Sequence, residues 1–260
     1  MKLIAQLQLK PTPEQAAALL ATLETANEAC DYLSGLAWDN QTFKRFDLHH
    51  LGYYSTRSLF SLTSTVVVSC VAKVAGAYKI DKATKRGFKK NGCISYNHHI
   101  LSFKTQAQTV SIWTVNGRET IPFVCGDKQR ALLANQKGEC DLAFIKGHFY
   151  ILACCEVEEE APVETEGVLG VDLGIVEIAT TSNGKSYSGE KVKALRRRHK
   201  SLRARLQKKG TKSAKRHLKK LSRKQANFVR NENHRISKEI VATAAKERKA
   251  LALENLKGIR

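Results

Sequence analysis

The chain has 260 residues, 42% of them hydrophobic, and a formal net charge of +20 at pH 7 with a pI near 9.8. That apolar share supports a packed core and excludes wholesale disorder. The charge favours polyanions, nucleic acid ahead of an anionic membrane surface. No apolar run approaches the roughly 18–20 residues needed to span a bilayer, and Met1-Lys-Leu-Ile-Ala-Gln6 carries no signal-peptide core, so a soluble cytoplasmic protein is expected.

Residues 2–9 alternate apolar and polar side chains and predict a strand. Pro11-Thr-Pro-Glu-Gln15 then stops the strand and opens a helix. Thr12 suits the N-cap, Pro13 the first helical position, and Gln15 completes a capping box. An apolar face of Leu19, Leu20, Leu23, Ala26, Cys30 and Leu33 carries that helix to about Leu36. Further helices are predicted over about Leu48–Leu62 and over Thr63–Lys79, the latter with Val66, Cys70, Val74 and Tyr78 spaced by four. In this part Trp38, Phe43, Phe46, Tyr53 and Tyr54 interleave with Lys44, Arg45, His49 and His50. Such a mixture serves a helical core or lines a nucleic-acid channel.

Lys82, Lys85, Arg86, Lys89 and Lys90 form a basic connection ending at Asn91-Gly92. Residues 93–157 then read as short strands at Ile94–Tyr96, Ile100–Lys104, Thr109–Thr114, Glu119–Val124, Leu142–Lys146 and His148–Glu156. Asn116-Gly117 and Lys146-Gly147 are the hairpin turns. The first strand is expected to join them, making residues 1–10 and 91–157 a β-barrel and residues 11–90 a helical insertion. The acidic, proline-containing stretch 158–166 reads as a linker.

Seven cysteines, an odd number with no Cys-x-x-Cys pair, argue against a disulfide framework and against a structural zinc site within the chain. They read as small buried hydrophobes, with one of Cys154 and Cys155 facing the core.

From Gly167 the order is strand (Val168–Leu173), strand (Val176–Ser182), Asn183-Gly184 turn, strand (Ser186–Ser188), a helical hairpin over 190–247 broken at Gly210-Thr-Lys-Ser213, and a strand at Lys249–Leu253. Acids stand on the first and last of these strands, Asp172 and Glu254, in the order of the opening half of a ribonuclease H-like fold. Closely spaced carboxylates hold the hard cations that clamp a phosphodiester during hydrolysis. Asp172 and Glu254 are therefore candidate metal ligands, with Gly170 and Gly174 leaving room for a phosphate backbone. An Asp-x-Gly after a strand also occurs in the phosphate loop of actin-like ATPases, but residues 211–257 lack the glycine-rich segment that reading needs.

The hairpin is the most one-sided part of the chain. Residues 191–235 carry nineteen Lys and Arg against one acid, Glu232. With almost no acids at i±4, mixed-sign pairing cannot neutralise the run. Arg196, Arg197, Arg198, Lys200, Lys208, Lys209, Lys212, Lys215, Arg216, Lys219 and Lys220 are expected to meet phosphates, which gives affinity and salt dependence without sequence readout.

The chain resembles the TnpB (OrfB) proteins of bacterial insertion sequences, long described as transposases and related to the type V CRISPR effectors. The resemblance runs the full length. It is carried by Leu9-Lys-Pro-Thr-Pro-Glu-Gln15, Gly170-Val-Asp-Leu-Gly174, Gly210-Thr-Lys-Ser-Ala-Lys-Arg216, Asn233-His-Arg-Ile-Ser-Lys238 and Leu253-Glu-Asn-Leu-Lys-Gly258. It implies an α+β chain: a wedge-like β-barrel with a helical recognition insertion, then a partial RuvC-like nuclease domain over 167–260. It implies a guide RNA and target DNA as partners, Mg2+ as cofactor, and Asp172 and Glu254 as the first and second RuvC acids. Base pairing with the guide then supplies the sequence specificity. The departure is at the C-terminus, where family members continue into a zinc ribbon and a third RuvC acid. A second expectation follows, a nucleic-acid-binding chain without cleavage. A strand-joining transposase is disfavoured, since no tyrosine or serine recombinase signature is evident.

Overall fold

A computed structural model describes residues 1–159, 161 and 163–254, and its internal packing divides the chain into two units, Met1–Glu159 and Glu160–Arg260. The mixed α+β character expected from the sequence is present.

In the first unit, β1 (Lys2–Leu9) buries Ala5, Leu7 and Leu9 on one face. The helix α1 (Pro13–Asp39) opens on the capping box: the Gln15 amide donates to Thr12 Oγ1 at 3.3 Å, and the Thr12 amide donates to Gln15 Oε1 at 3.1 Å. The Gln15 side-chain nitrogen Nε2 also donates to Glu119 Oε2 and to the Thr120 carbonyl, both at 3.2 Å, which ties the helix start to the sheet. The helices α2 (Arg45–Phe60) and α3 (Ser64–Ile80) follow. The connection after α3 is pinned down rather than loose. Lys73 Nζ donates to Asn27 Oδ1 at 2.6 Å and to the Cys93 carbonyl at 2.9 Å, and Asn27 Nδ2 donates to the Gly92 carbonyl at 2.9 Å.

The strands β2 (Ile94–Tyr96), β3 (Leu101–Lys104), β4 (Thr109–Thr114) and β5 (Gly117–Val124) precede a short helix α4 (Asp127–Leu133); β6 (Gln136–Ile145) and β7 (His148–Glu156) close the unit. All pair antiparallel in the order β2-β6-β7-β1-β5-β4-β3, with β1 at the centre. The sheet curls until its ends nearly meet: the Tyr96 hydroxyl on edge strand β2 donates to the Trp113 carbonyl on β4 at 3.1 Å. Leu19, Leu23, Leu33, Val66 and Val74 of the helices share one core with Ile94, Ile112, Ile121, Leu142 and Ile151 of the sheet.

Several elements differ from the sequence reading, and α1 runs on to Asp39 rather than about Leu36. The helix α2 starts at Arg45 rather than near Leu48, one turn earlier. The strand β6 starts at Gln136 rather than Leu142, because its first half is bulged between Gln136 and Cys140 and does not alternate cleanly. The helix α4 lacked a signal, being seven residues long with no side-chain cap and Leu133 as its one buried residue. The cysteines also divide. Cys30, Cys70, Cys140 and Cys155 are buried as expected, whereas Cys93 is exposed and Cys125 and Cys154 are half-buried. The aromatic cluster divides as well: Trp38, Phe43 and Tyr53 pack against the core, while Phe46 and Tyr54 stand exposed.

The second unit opens with the antiparallel strands β8 (Gly167–Leu173), β9 (Glu177–Thr181) and β10 (Ser186–Ser188). The helices α5 (Glu190–Lys209) and α6 (Lys212–Lys246) form the hairpin, and β11 (Lys249–Leu253) returns to pair parallel with β8, giving the order β10-β9-β8-β11. Between the helices Gly210 adopts φ 63°, and the Thr211 hydroxyl caps α6 by accepting from the Ala214 amide at 3.2 Å. Leu169, Val171, Ala179 and Tyr187 of the sheet form a small core with Ile236, Ile240 and Ala244 of α6. Among the described residues, no helix is long and apolar enough to cross a membrane.

Candidate active site and nucleic-acid interface

Strand register decides where the two candidate carboxylates sit. β11 runs parallel to β8 with Ala252 opposite Gly170 and Leu253 opposite Val171. Glu254 follows directly, alongside Asp172. Strand residues alternate face by face, so Asp172 lies on the face opposite Leu169 and Val171, and Glu254 is the first residue after β11. Leu169 and Val171 are buried against α6, and both carboxylates are exposed. Neighbouring strands lie about 4.8 Å apart, and the two acids follow the last paired residues of adjacent parallel strands at one end of the sheet.

The surrounding face is lined by small residues. Thr180 is paired with Asp172, Ser186 with Thr180, and Ala252 with Gly170. The Ser182 hydroxyl accepts from the Gly170 amide at 3.1 Å. The two glycines beside Asp172 differ in role. A Cβ on Gly170 meets Ser182 Cβ at 3.6 Å, an ordinary contact, so this position is roomy. A Cβ on Gly174 falls 2.7 Å from the Glu177 carbonyl oxygen, so this glycine is required by the turn that follows the strand. Gly189 closes the same loop, donating its amide to the Val176 carbonyl at 2.8 Å.

The eleven basic residues singled out on the hairpin are all exposed. Their helices turn another stripe inward, with Val192 and His199 buried on α5 and Ala214 and Leu221 buried on α6. Among the described residues, Arg197 alone of the eleven is ion-paired, with Glu190 at 3.4 Å. The remaining charge is uncompensated within the described chain. The acids of α6 are instead engaged near its C-terminal half. Arg235 pairs with Glu232 at 3.1 Å and Glu239 at 2.7 Å, and Lys185 reaches Glu239 at 3.4 Å. Glu247, at the end of α6, accepts from Lys249 at 2.8 Å and from Asn183 at 3.3 Å. The Lys249 hydrogen bond holds its carboxyl below the ordinary range.

Asp172 and Glu254 stand at one sheet end and all of the basic positions but Arg197 are without an ion pair among the described residues, where no group of three or more His, Cys, Asp or Glu side chains is arranged to hold a metal. Sequence reasoning treated the cations alike and did not single out Arg203, Arg230 or Ser222, which line the cleft between α5 and α6 together with Gln225 and the motif residue Asn233.

Residues 152–259 match the family model OrfB_IS605, described as "Probable transposase". No curated protein matches the chain. Among solved structures, a Cas12f1-sgRNA-target DNA complex is similar at 14% identity and a TM-score of 0.50, covering 93% of this chain and 65% of that one. A CRISPR-Cas12f ternary complex aligns at 13% identity and a TM-score of 0.42, covering 91% and 63%. The chain thus spans just under two thirds of the length of either protein, and the first likeness is one of fold. The motifs Gly210–Arg216, Asn233–Lys238 and Leu253–Gly258 all fall inside the stretch 152–259 that is similar to the OrfB family model, which is less than half of the chain.

Proposed function

We propose that this chain is the guide-RNA- and DNA-binding part of a transposon-encoded endonuclease, cutting DNA by Mg2+-dependent phosphodiester hydrolysis with Asp172 and Glu254 as metal ligands. The observation that supports this reading is the parallel β8–β11 register, whose last pair, Val171 and Leu253, directly precedes the two sequence-distant carboxylates. The strand order β10-β9-β8-β11, three antiparallel strands and a parallel fourth, supports reading this unit as a partial ribonuclease H-like, RuvC-type sheet. The curled antiparallel sheet and the α1–α3 bundle of the first unit then serve as the wedge and recognition parts. The similar Cas12f1 structure is a complex with sgRNA and target DNA, which supports RNA and DNA as the partners here.

The donor set suits the cation. Mg2+ takes oxygen ligands, needs one or two carboxylates, and keeps several waters; Asp172 and Glu254 supply oxygens in a solvent-open position. A bound Mg2+ supplies Lewis-acid neutralisation of charge on phosphoryl oxygens. The chain's own residues do the rest. The Gly174 turn fixes the strand end that carries Asp172, the small residues around it let a sugar-phosphate chain approach, and the hairpin cations neutralise the flanking phosphates.

Mn2+, a spectroscopic substitute for Mg2+, tests the site directly. Electron paramagnetic resonance is expected to show Mn2+ bound by the wild-type protein, displaced by excess Mg2+, and weakened in both Asp172→Asn and Glu254→Gln. Unchanged binding in both variants contradicts the assignment. A second reading, nucleic-acid binding without cleavage, is favoured by the lack of a third converging ligand among the described residues. It predicts full RNA binding and no Mg2+-dependent nicking.

A further inference from the structure

The hairpin cations are not equivalent, because a continuous cleft runs between α5 and α6. One part, about 670 Å³, is lined by Arg196 and Arg203 from α5 and by Ser222, Gln225, Arg230 and Asn233 from α6. A second part, about 1170 Å³, shares Arg196, Arg203, Ser222 and Gln225 and extends past Lys200 to Gln207 and Lys219. A third shares Arg196 and Asn233 and reaches Gly174, two residues beyond Asp172. Among the described residues none of Arg196, Arg203 and Arg230 is ion-paired. The spacing suits a polymer. Arg196 and Arg203 are two helical turns apart, roughly 10 Å along the axis, the rise of about three nucleotides in one strand.

The floor adds a second requirement. Gln225 lines both larger parts of the cleft, and its Oε1 is buried with no hydrogen-bond partner among the described residues. A buried acceptor left without a donor is costly, so a fitting ligand brings one. Phosphodiesters carry only acceptors at neutral pH. A ribose 2′-hydroxyl sits next to each phosphate and donates, whereas deoxyribose offers nothing there.

We infer that the α5–α6 cleft is a binding track for single-stranded RNA, with Arg196, Arg203 and Arg230 on separate phosphates of one strand and Gln225 accepting from a ribose 2′-hydroxyl. The inference rests on the nucleic-acid reading above and deepens it: it assigns the cleft to the RNA rather than to the DNA, and affinity to a few cleft-lining cations rather than to the whole basic run. Cations on the outer surface, such as Arg205, Arg223 and Lys224, add to the general field but hold no strand.

The test is fluorescence anisotropy of the whole chain with an unstructured labelled 12-nucleotide RNA and its DNA counterpart, over a salt series. The proteins are the wild type, the triple variant R196Q/R203Q/R230Q, the charge-matched outer variant R205Q/R223Q/K224Q, and Gln225→Met. Circular dichroism checks that helix content is unchanged. If the first triple variant loses helicity, Arg196→Gln and Arg230→Gln, on different helices, carry the test singly. The cleft variant is expected to bind RNA at least about tenfold more weakly, with the slope of log K against log salt falling by about 2, at roughly 0.7 for each phosphate no longer neutralised. The outer variant stays within about threefold of wild type. The wild type prefers RNA over DNA by about tenfold, and Gln225→Met erases that preference. Equal weakening in the two triple variants, or equal binding of RNA and DNA by the wild type, overturns the inference and leaves the nucleic-acid reading standing. Failure of the wild type to bind either strand removes both.

Discussion

Two glycines of one strand-and-turn segment give opposite predictions for the same substitution. In Gly174→Ala the new methyl lies 2.7 Å from the Glu177 carbonyl oxygen, a backbone atom in a turn already closed by the Gly174 amide to the Ile178 carbonyl at 3.4 Å. An ordinary carbon–oxygen contact is longer by several tenths of an ångström, so the turn must open, at a cost of about 1–3 kcal/mol for overpacking of this kind. In Gly170→Ala the nearest atom is Ser182 Cβ at 3.6 Å, which is ordinary contact. Alanine also holds an extended backbone better than glycine by about 0.5–1 kcal/mol. The two variants should therefore differ by about 2 kcal/mol, near 30-fold in the unfolding equilibrium. The molecule supplies its own control. Its two tryptophans, Trp38 and Trp113, both lie in the first unit, while α5 and α6 contribute 20 and 35 helical residues to the second. Urea unfolding followed by helix circular dichroism should move to lower denaturant in Gly174→Ala and hold or rise in Gly170→Ala, with tryptophan fluorescence unchanged in both. A Gly174→Ala protein as stable as the wild type refutes the claim that this turn is fixed by close backbone approach.

Other consequences are as specific. Thr12→Ala should destabilise the first unit by about 1 kcal/mol through loss of the α1 cap, read as an earlier tryptophan-fluorescence midpoint; an unchanged midpoint contradicts the cap's role. Of the thiols, burial pushes Cys140 up to about 12, and a hydrogen bond with Cys30 together with burial raises Cys70. A maleimide reagent at neutral pH should therefore label exposed Cys93 first and leave Cys70 and Cys140 until unfolding, as peptide mass mapping will show. Glu247 has a lowered carboxyl pKa, so its stabilisation is fully present above the ordinary carboxylate value and is lost as pH falls through the lowered folded value. The second unit of the wild type should lose stability on acidification in that range, and Glu247→Gln should flatten part of the loss; identical acid limbs argue against the Lys249 and Asn183 hydrogen bonds.

The elements with physical punctuation were readable from the sequence, and the rest were not. Thr12-Pro-Glu-Gln15 announced α1 because each residue fills a different role at a helix start. Asn116-Gly117 and Asn183-Gly184 announced hairpins, with Gly117 at φ 109° and Gly184 at φ 87°, values a side chain resists. β4, β7 and β11 were placed to the residue because alternation or flanking turns bounded them. α4 and the first half of β6 carried neither signal. At the site, the two acids were legible as types, but their neighbourhood depends on a parallel pairing that local sequence does not encode. The cations were legible as a block. Which of them face the cleft depends on how the two helices of the hairpin pack, and that phase is a property of the folded unit.

The most direct test of the proposed function is DNA cutting by the protein produced together with the DNA flanking its gene, where the proposal expects a guide RNA to be encoded. The wild type and Asp172→Ala are compared with and without Mg2+, and bound RNA is quantified in each. Two carboxylates acting as metal ligands predict cutting by the wild type only with Mg2+, no cutting by Asp172→Ala, and equal RNA in both. Undiminished cutting by Asp172→Ala would contradict that role.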